Sequence, residues 1–170
     1  MLLASLGAAL FILSLGALDP FTRDAVNLPA LIPPFGASTV IVFFAPASSA
    51  SRAWSVVAGH VGSALIACAV LWLMPGASVT TQAALAVAGA GIWMVLSRSI
   101  HPPGGATALF TTLGGLERGI GALLLPLIAG CVVLMAIRWL LDWGTELWRR
   151  RIEPARVGAE SLPPQATGTL

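Results

Sequence analysis

From Ala53 to Ser97 the chain carries no Asp, Glu, Lys or Arg. That stretch has room for two membrane crossings joined by a tight turn, since each needs ~20 predominantly apolar residues. Pro75-Gly76 supplies the break between them. A soluble chain would have to bury the whole stretch, and 170 residues do not provide the cover. The rest of the composition agrees, with 57% hydrophobic and 9% charged residues against about 25% charged in an ordinary soluble domain. Arginine is the sole basic residue besides histidine, and the formal charge is +2. So small and dispersed an excess argues against nucleic-acid binding, which needs clustered basic side chains. The length suits a single domain. Cys68 and Cys131 both fall in apolar helix patterns, where free cysteine packs as a small hydrophobe.

Four long apolar segments stand out: 1–18, 53–74, 79–96 and 119–143. The first lacks the basic n-region and small-residue cleavage site of a signal peptide, so it is expected to remain as a span. Trp54, Trp72, Trp93, Trp139 and Trp143 sit at segment ends, the positions of an interfacial belt. Two shorter segments, 35–46 after Pro33-Pro34 and 104–113 after Pro102-Pro103, cannot span alone as helices rising ~1.5 Å per residue. They are either re-entrant or half-helices completed by extended backbone.

Arginine placement favours crossing. Six passes put Arg52, Arg98 and Arg149–Arg151 on one side with both termini, leaving Arg23 and Arg118 opposite, each near an acid (Asp24, Glu117). This asymmetry follows the positive-inside rule, whereas four passes with two re-entrant loops nearly cancel it. The expected protein is therefore an all-α polytopic helix bundle with both termini cytoplasmic, integral to a bacterial inner membrane. One membrane domain covers 1–148. A tail over 149–170 begins with an arginine cluster suited to anchoring on the inner leaflet, and its Pro/Ala/Gly-rich remainder reads as disorder.

The short segments resemble each other. Pro33-Pro34-Phe35-Gly36-Ala37-Ser38-Thr39-Val40 aligns without gaps to Pro102-Pro103-Gly104-Gly105-Ala106-Thr107-Ala108-Leu109. Each lies between long spans, so the chain reads as two copies of span, broken segment, span, over 1–76 and 77–148. An odd number of crossings per copy would invert one copy relative to the other, and interrupted helices at corresponding positions point to a transporter's substrate site.

Proline is tolerated at a helix's first turn because its missing N–H would lack a partner anyway. The residues that follow, Gly36, Ala37, Ser38 and Thr39 in one copy and Gly104, Gly105, Ala106 and Thr107 in the other, would leave backbone donors without bulky cover. Such a helix start is expected to hold an anion if solute can reach it, with the hydroxyls of Ser38, Thr39 and Thr107 as further donors. No backbone donor stays bare in lipid. Arg98 and His101 stand beside the second start and complete the expected binding set, while His60 and Arg52 are candidates for a pathway or coupling role. His60 lies among Gly59, Gly62 and Ser63, a small-residue face suited to close helix contact. No carboxylate lies in the interior of a span, which argues against a carboxylate relay. Two histidines without a nearby cysteine or carboxylate make a poor metal site, so neither metal nor cofactor is expected. The absence of paired carboxylates or a Ser/His/Asp set argues against an enzyme.

Ile100-His101-Pro102-Pro103-Gly104-Gly105-Ala106-Thr107-Ala108-Leu109 resembles the signature of the HPP family of integral membrane proteins. Pro34-Phe35-Gly36-Ala37-Ser38 is similar to the family's other glycine-rich motif, and Arg52 followed by Gly59-His60 to its third recurring stretch. The resemblance covers residues 31 to 140. It implies a membrane fold described with four transmembrane helices, two fewer than six passes, the difference being the two short segments. It also implies transport, since plant chloroplast and cyanobacterial members are associated with nitrite. A small monovalent anion is thus the expected substrate, with the lipid bilayer as the main partner. A homo-oligomer would bury more helix surface. The competing expectation is a non-transporting membrane subunit or assembly partner.

Overall fold

The computed structural model describes residues 1–26, 29–115 and 119–160. Glu117 and Arg118, which entered the arginine asymmetry, and the tail after 160 lie outside the described residues. Among the described residues six α-helices follow one another: α1 (Leu2–Val26), α2 (Pro33–Phe44), α3 (Ala53–Leu73), α4 (Val79–Leu96), α5 (Pro103–Phe110) and α6 (Ile120–Glu160). Residues up to Arg138 form one compact unit, and a second begins at Trp139.

Local chemistry sets the boundaries. The Pro33-Pro34 pair opens α2, and α3 ends at Leu73, just before Pro75, whose ring disfavours helix at the preceding residue. The Ser78 hydroxyl accepts from the Thr81 N–H at 3.2 Å and caps α4. At the other end, Arg98 takes the left-handed conformation (φ 54°). Its N–H donates to Val95 and that of Ser99 to Met94, the paired bonds of a Schellman stop. After α5 a wide turn over Thr111–Gly115 places Gly114 at φ 119°, a conformation open to glycine without steric cost.

Four helices, α1, α3, α4 and α6, are long and apolar enough to cross a membrane, and the chain is an integral membrane protein. With 12 and 8 residues, α2 and α5 rise only ~18 and ~12 Å at ~1.5 Å per residue, well short of the ~30 Å hydrocarbon core. The order long, short, long therefore occurs twice. Two long helices exceed their apolar segments. α1 continues through Pro20 to Val26, and α6 runs on to Glu160, through a part of the 149–170 tail that was expected to be disordered. Within the second unit Glu146 pairs with Arg149 and Arg150, spacings that favour helix, and the Trp139 and Trp143 rings stack at 6.0 Å.

In the first unit α3 packs against α4 and α5 through a core of Ala67, Ala86, Ala90 and Ala108. Small residues let helix backbones approach closely where lipid provides no hydrophobic drive. Gly62 is the extreme case, since a Cβ there would lie 1.8 Å from Nε1 of Trp93. That indole N–H donates to the Ala58 carbonyl at 2.9 Å, so Trp93 packs inward as well as marking a span end. Gly62→Ala is expected to destabilise the protein by about 1–3 kcal/mol through overpacking, read as a lower Tm in detergent. An unchanged Tm would mean that the indole swings aside without cost.

Phe35 wedges α2 into place. Its ring meets Phe11 of α1 edge-on at 5.7 Å, and Gly130 of α6 makes room for it, since a Cβ there would lie 2.2 Å from Cζ. The ring also stands 5.3 Å from that of His60 on α3.

Candidate functional site

The polar residues of the two short helices converge on one ring. Ser38 belongs to the second turn of α2, and the register that aligns the two proline pairs puts Thr107 at the matching place in α5. His60 lies between them. Its Nε2 is 2.7 Å from Oγ of Ser38, and its Nδ1 is 2.6 Å from Oγ1 of Thr107. His101 joins through Nε2, 2.9 Å from the same Ser38 oxygen, while its Nδ1 donates to the Ala50 carbonyl at 2.8 Å. The two imidazole rings stand 4.9 Å apart. Ser38, His60, His101 and Thr107 are each 0% exposed.

Close backbone approach makes the convergence possible. A Cβ on Gly104 would lie 2.6 Å from the Gly59 carbonyl oxygen and 2.8 Å from Oγ of Ser63. A Cβ on Gly59 would lie 2.8 Å from Cβ of His101. The small-residue face around His60 is thus the surface on which α5 and the His101 segment rest. Ser63 keeps a buried hydroxyl with no hydrogen-bond partner among the described residues.

The helix starts themselves differ from expectation. At α2 neither Pro33 nor Pro34 has an N–H, Ile32 donates to Ala30 and Phe35 to Ile32. At α5 neither Pro102 nor Pro103 has one, Gly104 donates to His101 and Gly105 to Pro102. The double prolines remove the very donors that an anion would use, and the first turns close on themselves. Whatever polar chemistry the short helices present comes from side chains one turn further in.

The remaining candidates divide clearly. Thr39 is buried, but its hydroxyl donates to the Phe35 carbonyl of its own helix at 2.6 Å. Gly36, Ala37 and Ala106 are exposed, and Gly105 is half-buried. Arg52 and Arg98 are exposed and stand outside the hydrogen-bonded cluster, Arg98 serving as a helix stop. A cavity of about 210 Å³ between the start of α2 and α5 is lined by Pro33, Pro34, Ala106, Leu109, Phe110 and Leu113, an apolar surface with nothing to hold an anion. Arg138 had no place in the expected set. Its Nη1 donates to the Val42 carbonyl at 2.9 Å, in the last turn of α2, where the helix dipole favours a cation. An arginine inside an apolar run was the available signal. The Ala50 carbonyl carries no sequence signal at all. Among the described residues no group of three or more His, Cys, Asp or Glu side chains comes together to hold a metal.

Fold and site together define a polytopic helical membrane protein with a fully buried polar centre gathered from α2, α3, α5 and the His101 segment. The chain belongs to the HPP family, whose transmembrane region matches residues 1–151. It is also similar to two transmembrane proteins of Dictyostelium discoideum. One is 32% identical over 119 residues, covering 66% of this chain and 42% of the relative. The other is 34% identical over 109 residues, covering 62% and 35%. The match thus spans less than half the length of each of these relatives. No solved structure matches the chain.

Proposed function

We propose that the protein carries a small monovalent anion across the membrane, nitrite being the first candidate, with Ser38, His60, His101 and Thr107 as its binding groups. One observation carries this reading: four polar side chains from both halves of the chain, two of them imidazoles, meet at 0% exposure in one hydrogen-bonded cluster. Polar and titratable groups at such depth are costly and are functional candidates by default. The cluster holds hydroxyl and imidazole donors and no carboxylate, which suits an anion. Family membership and the repeated long-short-long order support transport. The proposed topology keeps the two short helices as completed crossings, with both termini cytoplasmic in a bacterial inner membrane. The protein is read as a carrier and not an enzyme.

Reconstituted vesicles test this with nitrite, nitrate, chloride and formate. Selective, saturable flux is expected from the native protein. Ser38→Ala and Thr107→Val are expected to lower it about tenfold or more, the effect of losing one buried hydrogen bond. Undiminished flux in both folded variants would overturn the site. A second reading also has an observation behind it. The four groups already satisfy one another, as a purely structural core would, and a non-transporting membrane subunit needs nothing more. Absence of any anion flux from folded, inserted protein, together with a stable co-purifying partner, would decide for that reading.

A further inference from the structure

The cluster has a direction. The Ala50 carbonyl can only accept, so Nδ1 of His101 carries a proton. With that ring neutral, its Nε2 is bare and faces the Ser38 hydroxyl at 2.9 Å, which must donate to it. Having committed its one proton, Ser38 accepts from the Nε2–H of His60 at 2.7 Å. Nδ1 of His60 is then bare and takes the Thr107 hydroxyl proton at 2.6 Å. The longer contacts from Ser38 to the Pro34 carbonyl, 3.2 Å, and from Thr107 to the Pro103 carbonyl, 3.3 Å, are the bonds these hydroxyls forgo. Donation runs one way: Thr107 to His60 to Ser38 to His101 to Ala50.

We propose that this chain takes up one proton with each anion, so that the transported unit is an anion plus a proton; the inference rests on the anion-carrier reading above. A proton from water that reaches the Thr107 oxygen sends the hydroxyl's own proton to Nδ1 of His60. The Nε2 proton of His60 passes to Ser38, and the proton Ser38 held passes to Nε2 of His101. Thr107, His60 and Ser38 end with as many protons as they began with, and the added charge rests on His101. The three bonds between Thr107 and His101 have reversed, while Nδ1 of His101 still donates to the Ala50 carbonyl. His101 now donates to Ser38, Ser38 to His60, and His60 to Thr107. The Thr107 O–H, no longer committed to His60, is free to donate to an anion. Uptake of the proton therefore creates both the positive charge and the donor that the anion needs.

The surroundings fix the stoichiometry. No Asp, Glu, Lys or Arg occurs within α2, α3, α4 or α5. α1 brings Phe11 towards the cluster by way of Phe35, and its Asp19, Arg23 and Asp24 lie in its last two turns. α6 meets Phe35 through Gly130, and its Arg138 bonds the far end of α2. Arg52 and Arg98 are exposed. Among the described residues the imidazolium thus faces His60 and no carboxylate, and a buried charge without a partner is strongly disfavoured. The anion is the missing counter-ion. Two protonated rings 4.9 Å apart would repel severely in a dry core, so the cluster holds one proton. The Ala50 carbonyl accepts a hydrogen bond but passes no proton on, so the chain is a dead end that stores charge and does not leak it.

Two measurements test the proposal on the full chain. Vesicles carrying a lumenal pH dye should show one proton entering per nitrate or chloride, and no proton flux down a pH gradient without a permeant anion. Anion flux without proton movement would overturn the coupling and leave the carrier reading intact, whereas no flux of any anion would overturn both. Nitrogen NMR is independent of transport, and the chain has two histidines, so four ring signals report everything. Nδ1–H on His101 and Nε2–H on His60 are expected at neutral pH. Acidification should add one proton, on Nε2 of His101, while His60 switches to Nδ1–H. In Ser38→Ala that switch should vanish. The opposite tautomers, or independent protonation of both rings in the native protein, would overturn the proposal whatever the fluxes.

Discussion

Replacing Gly104 with alanine is expected to destabilise the protein by roughly 3 kcal/mol or more, at or beyond the upper end of ordinary overpacking. The same change at the adjacent Gly105 should be neutral, or stabilising by up to about 1 kcal/mol, because alanine loses less backbone freedom than glycine when the helix forms. The Cβ of residue 104 would meet the Gly59 carbonyl oxygen at 2.6 Å. That contact is with backbone, which cannot turn aside as a side chain can. α3 and α5 would have to separate, drawing Thr107 away from His60. A Cβ on Gly105 would meet nothing beyond its own helix within 4 Å. Thermal unfolding of the two variants in the same detergent checks the contrast. Equal effects would mean that α3 and α5 do not meet at this glycine.

Ser38→Ala is the second large effect, expected at about 2–5 kcal/mol. The hydroxyl faces Nε2 of both imidazoles, and each buried polar group left without a partner costs about 1–3 kcal/mol. Thr39→Val next to it serves as the measure. That hydroxyl is buried too, yet its hydrogen bond stays within its own helix, and its loss should cost about 1 kcal/mol. Denaturation midpoints of the two variants separate the cases. If both cost the same, Ser38 is not the hub of the cluster.

Much of the fold was legible from hydrophobic length alone. Uncharged runs of crossing length gave four long helices, and proline pairs marked where the two short ones begin. The internal alignment went further, because it placed Ser38 and Thr107 at equivalent positions, and both prove to hold the same ring. His60 and His101 stood out as polar groups in apolar surroundings. Other features were beyond reach for physical reasons. Gly104 and Gly105 are indistinguishable in sequence, and only the crossing of α3 and α5 separates a contact from open space. The backbone donors differ from expectation because the second proline of each pair both marks the helix start and lacks an N–H, and the next N–H groups bond within the first turn. The Ala50 carbonyl that fixes the tautomer of His101 belongs to a residue with no polar side chain. Arg98 was assigned to the site by proximity in sequence, whereas its left-handed backbone makes it the turn that delivers His101.

The exchange of partners between the halves has a consequence for how the protein is made. His60, from the first half, relies on Thr107 of the second, and His101, from the second, relies on Ser38 and Ala50 of the first. Neither half contains a complete set of partners for its own histidine, and the bilayer interior offers no water as a substitute. During biosynthesis the first half must therefore wait, with His60 still hydrated at an interface or sheltered by the insertion machinery, until the ribosome has delivered α5.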